Sequence, residues 1–132
     1  MNSEGVEIKI LAENQVNRAG LIAEHGLSFW IKYGTKNYLF DVGQGLVLNH
    51  NALELALDLA KLDGVILSHG HYDHGGGMEE VIALNPDCQV YGHPEVFVPK
   101  YTRHKGKLVN RSMNITKEEI NKFIPVTEPK KV

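Results

Sequence analysis

Ser68-His69-Gly70-His71-Tyr72-Asp73-His74-Gly75-Gly76-Gly77 places four metal-ligating side chains, His69, His71, Asp73 and His74, within six residues. In extended backbone, residues two apart point the same way. His69 and His71 can therefore offer two imidazole nitrogens to one ion, with Gly70 between them to let the backbone turn. Asp73 and His74 follow where the chain leaves the strand and point elsewhere, so one pair per ion is the natural arrangement. Neutral imidazole and carboxylate suit zinc, and also iron, manganese or nickel. Two such ions about 3.5–4 Å apart can share and activate a water. Imidazole must be neutral to bind, so metal affinity is expected to fall below about pH 6.5.

The flanking residues say where this cluster sits. Gly64-Val65-Ile66-Leu67 is a short apolar run of the kind that forms a buried strand. After the glycines, Met78-Glu79-Glu80-Val81-Ile82-Ala83-Leu84 reads as a short helix. The cluster thus lies on a loop at the carboxyl end of a strand, where open α/β sheets place their sites. Glu79 and Glu80 fall in the first helical turn, where the helix dipole favours negative charge, and capping explains them more simply than acid–base chemistry.

These residues carry a family resemblance. The run Ser68 to Gly76 resembles the signature of the metallo-β-lactamase fold superfamily. Leu39-Phe40-Asp41-Val42-Gly43 is similar to that family's first motif, a strand ending in Asp with a nearby Gly. Glu24-His25-Gly26-Leu27-Ser28 and Tyr91-Gly92-His93-Pro94 resemble a narrower branch, the proteins related to dihydropterin ribofuranosyl-aminobenzene phosphate synthase. The resemblance runs from about Val6 to about Pro99. It implies an αββα sandwich. It also implies two zinc ions, the first on His69 and His71, the second on Asp73 and His74. Asp73 doubles as the catalytic carboxylate, and Asp41 lies beneath, supporting the ligands.

The rest of the chain must hold that loop in place. Val6, Ile8 and Ile10 alternate with Glu7 and Lys9, and Leu27, Phe29 and Ile31 with Ser28, Trp30 and Lys32: two half-buried strands. Gly34-Thr35-Lys36-Asn37 is a turn, from which Tyr38-Leu39-Phe40 pairs back as a hairpin. Asn51-Ala52-Leu53-Glu54 is a capping-box pattern, and Leu53, Leu57 and Ala60 predict a helix of about three turns. His50, at its start, is read as solvent-facing or capping. Asn85-Pro86-Asp87 stops the helix that follows the cluster, and Gln89-Val90-Tyr91 is the next strand. His93, before Pro94, is read as structural, and Pro94 to Phe97 as a short helical turn. Lys100 to Arg111 reads as a basic solvated loop that could hold a phosphate. Thr116-Lys117-Glu118-Glu119 is a second capping box, opening a short helix that ends before Pro125. Val126 to Val132 is expected to fray.

The expected fold is therefore α/β, a mixed α+β sheet covered by helices, in one domain over residues 1–132. The chain has 132 residues, 42% hydrophobic and 23% charged, with a formal net charge of −2. These values suit one soluble domain and argue against disorder and against nucleic acid as a partner. Cys88 is the single cysteine, so an internal disulfide is excluded, and it reads as a small core residue. With no bilayer-length apolar run and no signal region at Met1 to Gly5, no membrane partner and a cytoplasmic location are expected.

The resemblance also implies later ligands, a histidine, a bridging aspartate and a last histidine. Only 58 residues follow His74, with no aspartate after Asp87 and no histidine after His104. The chain therefore reads as the amino-terminal half of the sandwich. Half a sandwich leaves an apolar sheet face uncovered, so self-association or a complementary carboxyl-terminal half is expected. The leading reading is a zinc-dependent hydrolase, or its amino-terminal part, that cleaves an ester or phosphoester of a small metabolite. The alternative is a non-catalytic half-domain that binds metal or a partner.

Overall fold

In the computed structural model, residues 5–129 and 131 are described. The alternating segments become strands: β1 (Val6–Ala12), β2 (Ser28–Tyr33) and β3 (Lys36–Phe40), joined antiparallel. Three further strands, β4 (Gly64–Ile66), β5 (Gln89–Gly92) and β8 (Lys122–Pro125), add in parallel beyond β3. The result is one six-stranded mixed sheet in the order β1-β2-β3-β4-β5-β8. The α/β class and mixed sheet expected from sequence are thus what the chain forms. Helices α1 (Leu48–Glu54), α2 (Tyr72–Gly75) and α3 (Met78–Leu84) occupy the crossovers.

The core lies on one side of the sheet. Trp30, Leu39, Val65 and Val90 project from consecutive strands into a cluster with Leu48 and Ala52 of α1 and Met78 and Val81 of α3. Cys88 is buried in the same cluster, and burial pushes its thiol up to about 11. Trp30 has a packing role, with Lys9 Nζ 5.3 Å from its ring.

The opposite side carries a different set of side chains. Cross-strand partners run Ile10–Phe29–Phe40–Ile66–Tyr91–Ile124, an apolar row spanning all six strands. None of the six belongs to the core cluster. Ile8 and Ile10 on the same face of β1 are 58% and 49% exposed. The alternation in Val6 to Ile10 predicts a half-buried strand, and its apolar side proves to be the open one. Alternation marks an apolar face but not whether anything covers it.

Several local expectations are corrected. Helix α1 starts at Leu48 and has seven residues rather than three turns from Asn51. Asn51 is not its cap. Its buried amide accepts from Ile22 N at 2.9 Å and donates to Leu11 O at 2.7 Å and Ile22 O at 2.8 Å. The side chain that looked like a cap is a clamp on the loop after β1. The expected β4 is shorter, ending at Ile66.

The basic run is not a loop but a hairpin, β6 (Tyr101–His104) and β7 (Lys107–Asn110). Lys105 and Gly106 both have positive φ, which suits a two-residue turn between twisted strands. The box at Thr116 does form, with Glu119 Oε2 accepting from Thr116 N at 2.7 Å and Oγ1 at 3.1 Å. It caps only a 3-10 turn, Lys117–Glu119, and the chain then joins the sheet as β8 because Phe123 and Ile124 pair with Val90 and Tyr91. Within the expected tail, Val126 N donates to Gly92 O at 2.9 Å, while Lys130 and Val132 lie outside the described residues. Among the described residues, no helix is long and apolar enough to cross a membrane.

Candidate metal centre

Strands β3 and β4 are parallel neighbours and end side by side. The residues just beyond them, Asp41 and Ser68, therefore meet. Asp41 N donates to Ile66 O at 2.9 Å, extending the ladder by one bond. Asp41 then turns with φ 55°, a left-handed conformation that Asp tolerates better than most residues. Its side chain is fully buried. A buried carboxylate is costly unless its oxygens are satisfied, and here they are. Ser68 N donates to Oδ1 at 2.8 Å, while Ser68 Oγ and His74 Nδ1 reach Oδ2 at 2.6 and 2.8 Å.

This arrangement fixes the proton positions. A carboxylate only accepts, so the Ser68 hydroxyl and the His74 Nδ1–H both donate to Asp41. With its proton committed, Ser68 Oγ accepts from His69 Nδ1 at 2.8 Å. Both imidazoles thus carry hydrogen on Nδ1, and in their neutral form leave Nε2 as a lone pair. One aspartate orients His74 directly and His69 through a serine. Burial lowers the His69 pKa, and the neighbouring His74 and His71 lower it further, so His69 is neutral at neutral pH.

His69 adjoins both other histidines of the motif. The His69 ring centroid lies 4.7 Å from that of His71 and 4.2 Å from that of His74. Asp73 Oδ2 lies 3.6 Å from His74 Nε2. Asp41, His69 and His74 offer ligand atoms within 4.8 Å of one another. His69 thus lies beside His71 and His74, and Asp73 beside His74, so the His69 and His74 rings, assigned from sequence to different ions, are next to each other. Imidazole and carboxylate donors of this kind suit a divalent metal ion.

Gly70 serves a different end from the one expected. Its φ is not positive; a Cβ there would stand 1.8 Å from Val96 O. The residue is glycine because another backbone presses on it, not because the chain must turn. Asp73 O and His74 O accept from Leu27 N at 3.2 Å and Val42 N at 2.8 Å, tying the short helix α2 to the segments before and after β2 and β3.

Two contributors stand in the resembling motifs without a role assigned from sequence. Ser68 stands in the motif without a role, and nothing in its type announces a relay. His25 Nε2 lies 3.3 Å from Asp73 Oδ2, a contact between residues 48 apart that no local spacing encodes. His50 and His93 stay outside the cluster. His50 Nε2 donates to Gly20 O at 2.7 Å, and His93 Nδ1 accepts from Glu95 N at 3.2 Å.

Residues 21–130 match the family model described as the metallo-beta-lactamase superfamily. The chain belongs to that superfamily. Among curated relatives, it is 35% identical over 118 residues to an uncharacterized protein of Methanocaldococcus jannaschii, covering 89% of this chain and 43% of that protein. It is also 28% identical over 130 residues to 7,8-dihydropterin-6-methyl-4-(beta-D-ribofuranosyl)-aminobenzene-5'-phosphate synthase of the same organism, covering 91% of this chain and 44% of that one. Among solved structures it resembles MEM-A1, a subclass B3 metallo-beta-lactamase from a soil metagenome library. That match has a TM-score of 0.56 and 19% identity, and covers 79% of this chain and 41% of the other. This superfamily chain thus spans less than half the length of these relatives.

Proposed function

We propose that the chain carries the metal-binding part of a zinc-dependent hydrolase acting on an ester or phosphoester of a small metabolite. The supporting observation is the Asp41–Ser68–His69 and Asp41–His74 network, which leaves two Nε2 lone pairs beside a carboxylate. In this reading His69 and His71 hold one ion, and Asp73 and His74 a second. Bound zinc would lower the pKa of water and polarise the scissile bond. Asp73 is the catalytic carboxylate, placed to accept a proton from the attacking water. Asp41 keeps both imidazoles in the binding tautomer. Ser68 passes that constraint to His69.

Superfamily membership supports hydrolysis, and the chemistry of the ligand set supports zinc over a soft-metal site. Iron or manganese at the same donors is the outcome that metal analysis discriminates. The test is direct. The purified chain is loaded with zinc, its metal content measured by mass spectrometry, and ester, thioester and phosphodiester substrates are offered. Zinc at two per chain, with turnover lost in His71→Ala and Asp73→Ala, supports the reading. No zinc retained in the parent chain overturns it.

A second reading has its own support. The β1 edge of the apolar row is exposed, with Ile8 and Ile10 58% and 49% exposed. On that reading this is a metal- or partner-binding half-domain without turnover, completed by a second copy or by a complementary carboxyl-terminal half. Firm zinc binding without turnover would favour it.

A further inference from the structure

The β6–β7 hairpin supplies none of the ligands of the metal centre, yet it is attached to it. Tyr72 N donates to Arg111 O at 2.9 Å, Met113 N donates to Gly70 O at 2.9 Å, and His71 bridges Ser112. The residues that leave the hairpin after β7 are therefore bonded to the loop that carries His71 and Asp73. Its charge is one-sided. Residues 96–117 hold six of the chain's 14 lysines and arginines and no aspartate or glutamate, in a chain of net charge −2. Among the described residues, no ion pair involves Arg103, Lys105, Lys107 or Arg111.

The register separates the hairpin's two faces. Thr102 opposes Val109 and His104 opposes Lys107. Arg111 N donates to Lys100 O at 2.7 Å, continuing the ladder, so Arg111 shares the face of Thr102, His104 and Lys107. Tyr101 and Asn110 lie on the other face. Arg111 is half-buried and held: its Nε donates to Thr102 Oγ1 at 3.1 Å, and its Cζ lies 5.8 Å from the Tyr72 ring centroid. Among the described residues the terminal Nη groups have no hydrogen-bond partner, on a guanidinium held by one hydrogen bond and one ring contact beside the residue between two of the proposed ligands. Lys100 does not share this role, because its Nζ donates to Glu95 O and Val98 O at 2.8 and 2.9 Å. Arg111 and Lys107 are four strand residues apart, about 13 Å.

We propose that this face of the hairpin binds the phosphate of a phosphorylated small-molecule substrate, with Arg111 as the anchor and Lys107 as the outer cation. Arg111 suits the task because a planar fork already fixed by a hydroxyl and an aromatic ring loses little freedom on gripping a phosphate. The strip is about 13 Å long, a span suited to a metabolite rather than a nucleic-acid strand. The hydrolase reading supplies only the position of the scissile bond, at the His71–Asp73 end. The anion site stands on the hairpin itself.

The test uses the whole chain, stripped of metal, so that phosphate cannot bind an ion. Glycerol 3-phosphate is titrated against amide NMR shifts, with glycerol as the uncharged control. Saturable shifts at Tyr72, Thr102, Lys107 and Arg111, absent with glycerol, are expected. Arg111→Ala should weaken binding at least about tenfold, Arg111→Lys less, and the exposed Lys107→Ala a few-fold. Circular dichroism checks that each variant is folded, and the Lys107 variant carries the test if Arg111→Ala does not fold. Shifts spread equally over Lys36 and Lys61 would mean general counterion screening and overturn the proposal, as would no shift at the hairpin. Tighter, steeply salt-dependent binding of single-stranded RNA over the same face would overturn it in favour of a nucleic-acid surface. Zinc content of the Arg111 variants is expected to match the parent, so the metal reading and the anion site can fail separately.

Discussion

His74 Nδ1 donates to Asp41 Oδ2 at 2.8 Å, across 33 residues of sequence. Removing the charge of that aspartate while keeping its shape isolates the effect. Asn suits the left-handed backbone at this position, so Asp41→Asn should fold. Its one carbonyl oxygen cannot accept from Ser68 N, Ser68 Oγ and His74 Nδ1 together, as the two carboxylate oxygens do. Zinc affinity is expected to drop about 10- to 100-fold, measured by competition with a chromogenic chelator. An unchanged affinity would show that the tautomers are set by something else.

Gly70 faces Val96 O with no room for a Cβ. Gly70→Ala must push the metal loop away from the turn Pro94–Phe97. The expected cost is about 3 kcal/mol in urea unfolding, the upper range for overpacking, together with weakened zinc retention. The same change at Gly106, whose Cβ would meet nothing but whose φ is +78°, should cost about 1 kcal/mol and leave zinc retention alone.

Asp63 joins the starts of β3 and β4. Its Oδ2 accepts from Asn37 N at 2.8 Å, and its Oδ1 lies 3.2 Å from Lys36 Nζ. The Asn37 amide chiefly holds its carboxyl below the usual value of 3.8. A depressed folded-state pKa gives stability that is present above 3.8 and lost as pH falls through the folded value. Asp63→Ala should therefore cost about 1 kcal/mol at pH 7, and the gap between parent and variant should narrow as pH falls below 3.8. A gap that persists unchanged at pH 2 would point to lost packing instead.

The exposed β1 edge of the apolar row predicts behaviour in solution. The chain is expected to sediment as a dimer or larger species and to bind a hydrophobic dye. Ile8→Lys with Ile10→Lys, both on exposed positions of β1, should shift it towards monomer while changing stability by less than about 1 kcal/mol. A parent chain that is monomeric and dye-silent at 100 μM, roughly the range where weak association appears, would contradict this.

The site is legible in the sequence because its ligands are contiguous. A strand, a loop and a helix deliver four donors within six residues, and short-range periodicity identifies such a unit. Asp41 can be named because Leu39-Phe40-Asp41-Val42-Gly43 resembles the superfamily's first motif. Ser68 and His25 act through contacts that only the folded chain creates. The hairpin is hidden because Lys105-Gly106 is a weak turn signal and its strands lack alternation, both faces being exposed. The box at Thr116 correctly marks a helical turn, but one capped turn does not commit the residues beyond it to a helix. Pairing with Tyr91 draws Ile124 into the sheet.

The dependence of two imidazoles on a single distant carboxylate limits how portable the binding loop is. Grafting residues 68–77 onto another strand-to-helix junction would carry His69, His71, Asp73 and His74 but leave their tautomers unassigned. A host scaffold would need an acceptor at the end of the adjoining parallel strand, in the place Asp41 holds beside Ser68. The smallest transferable cassette is therefore two neighbouring strand ends, not one sequence motif.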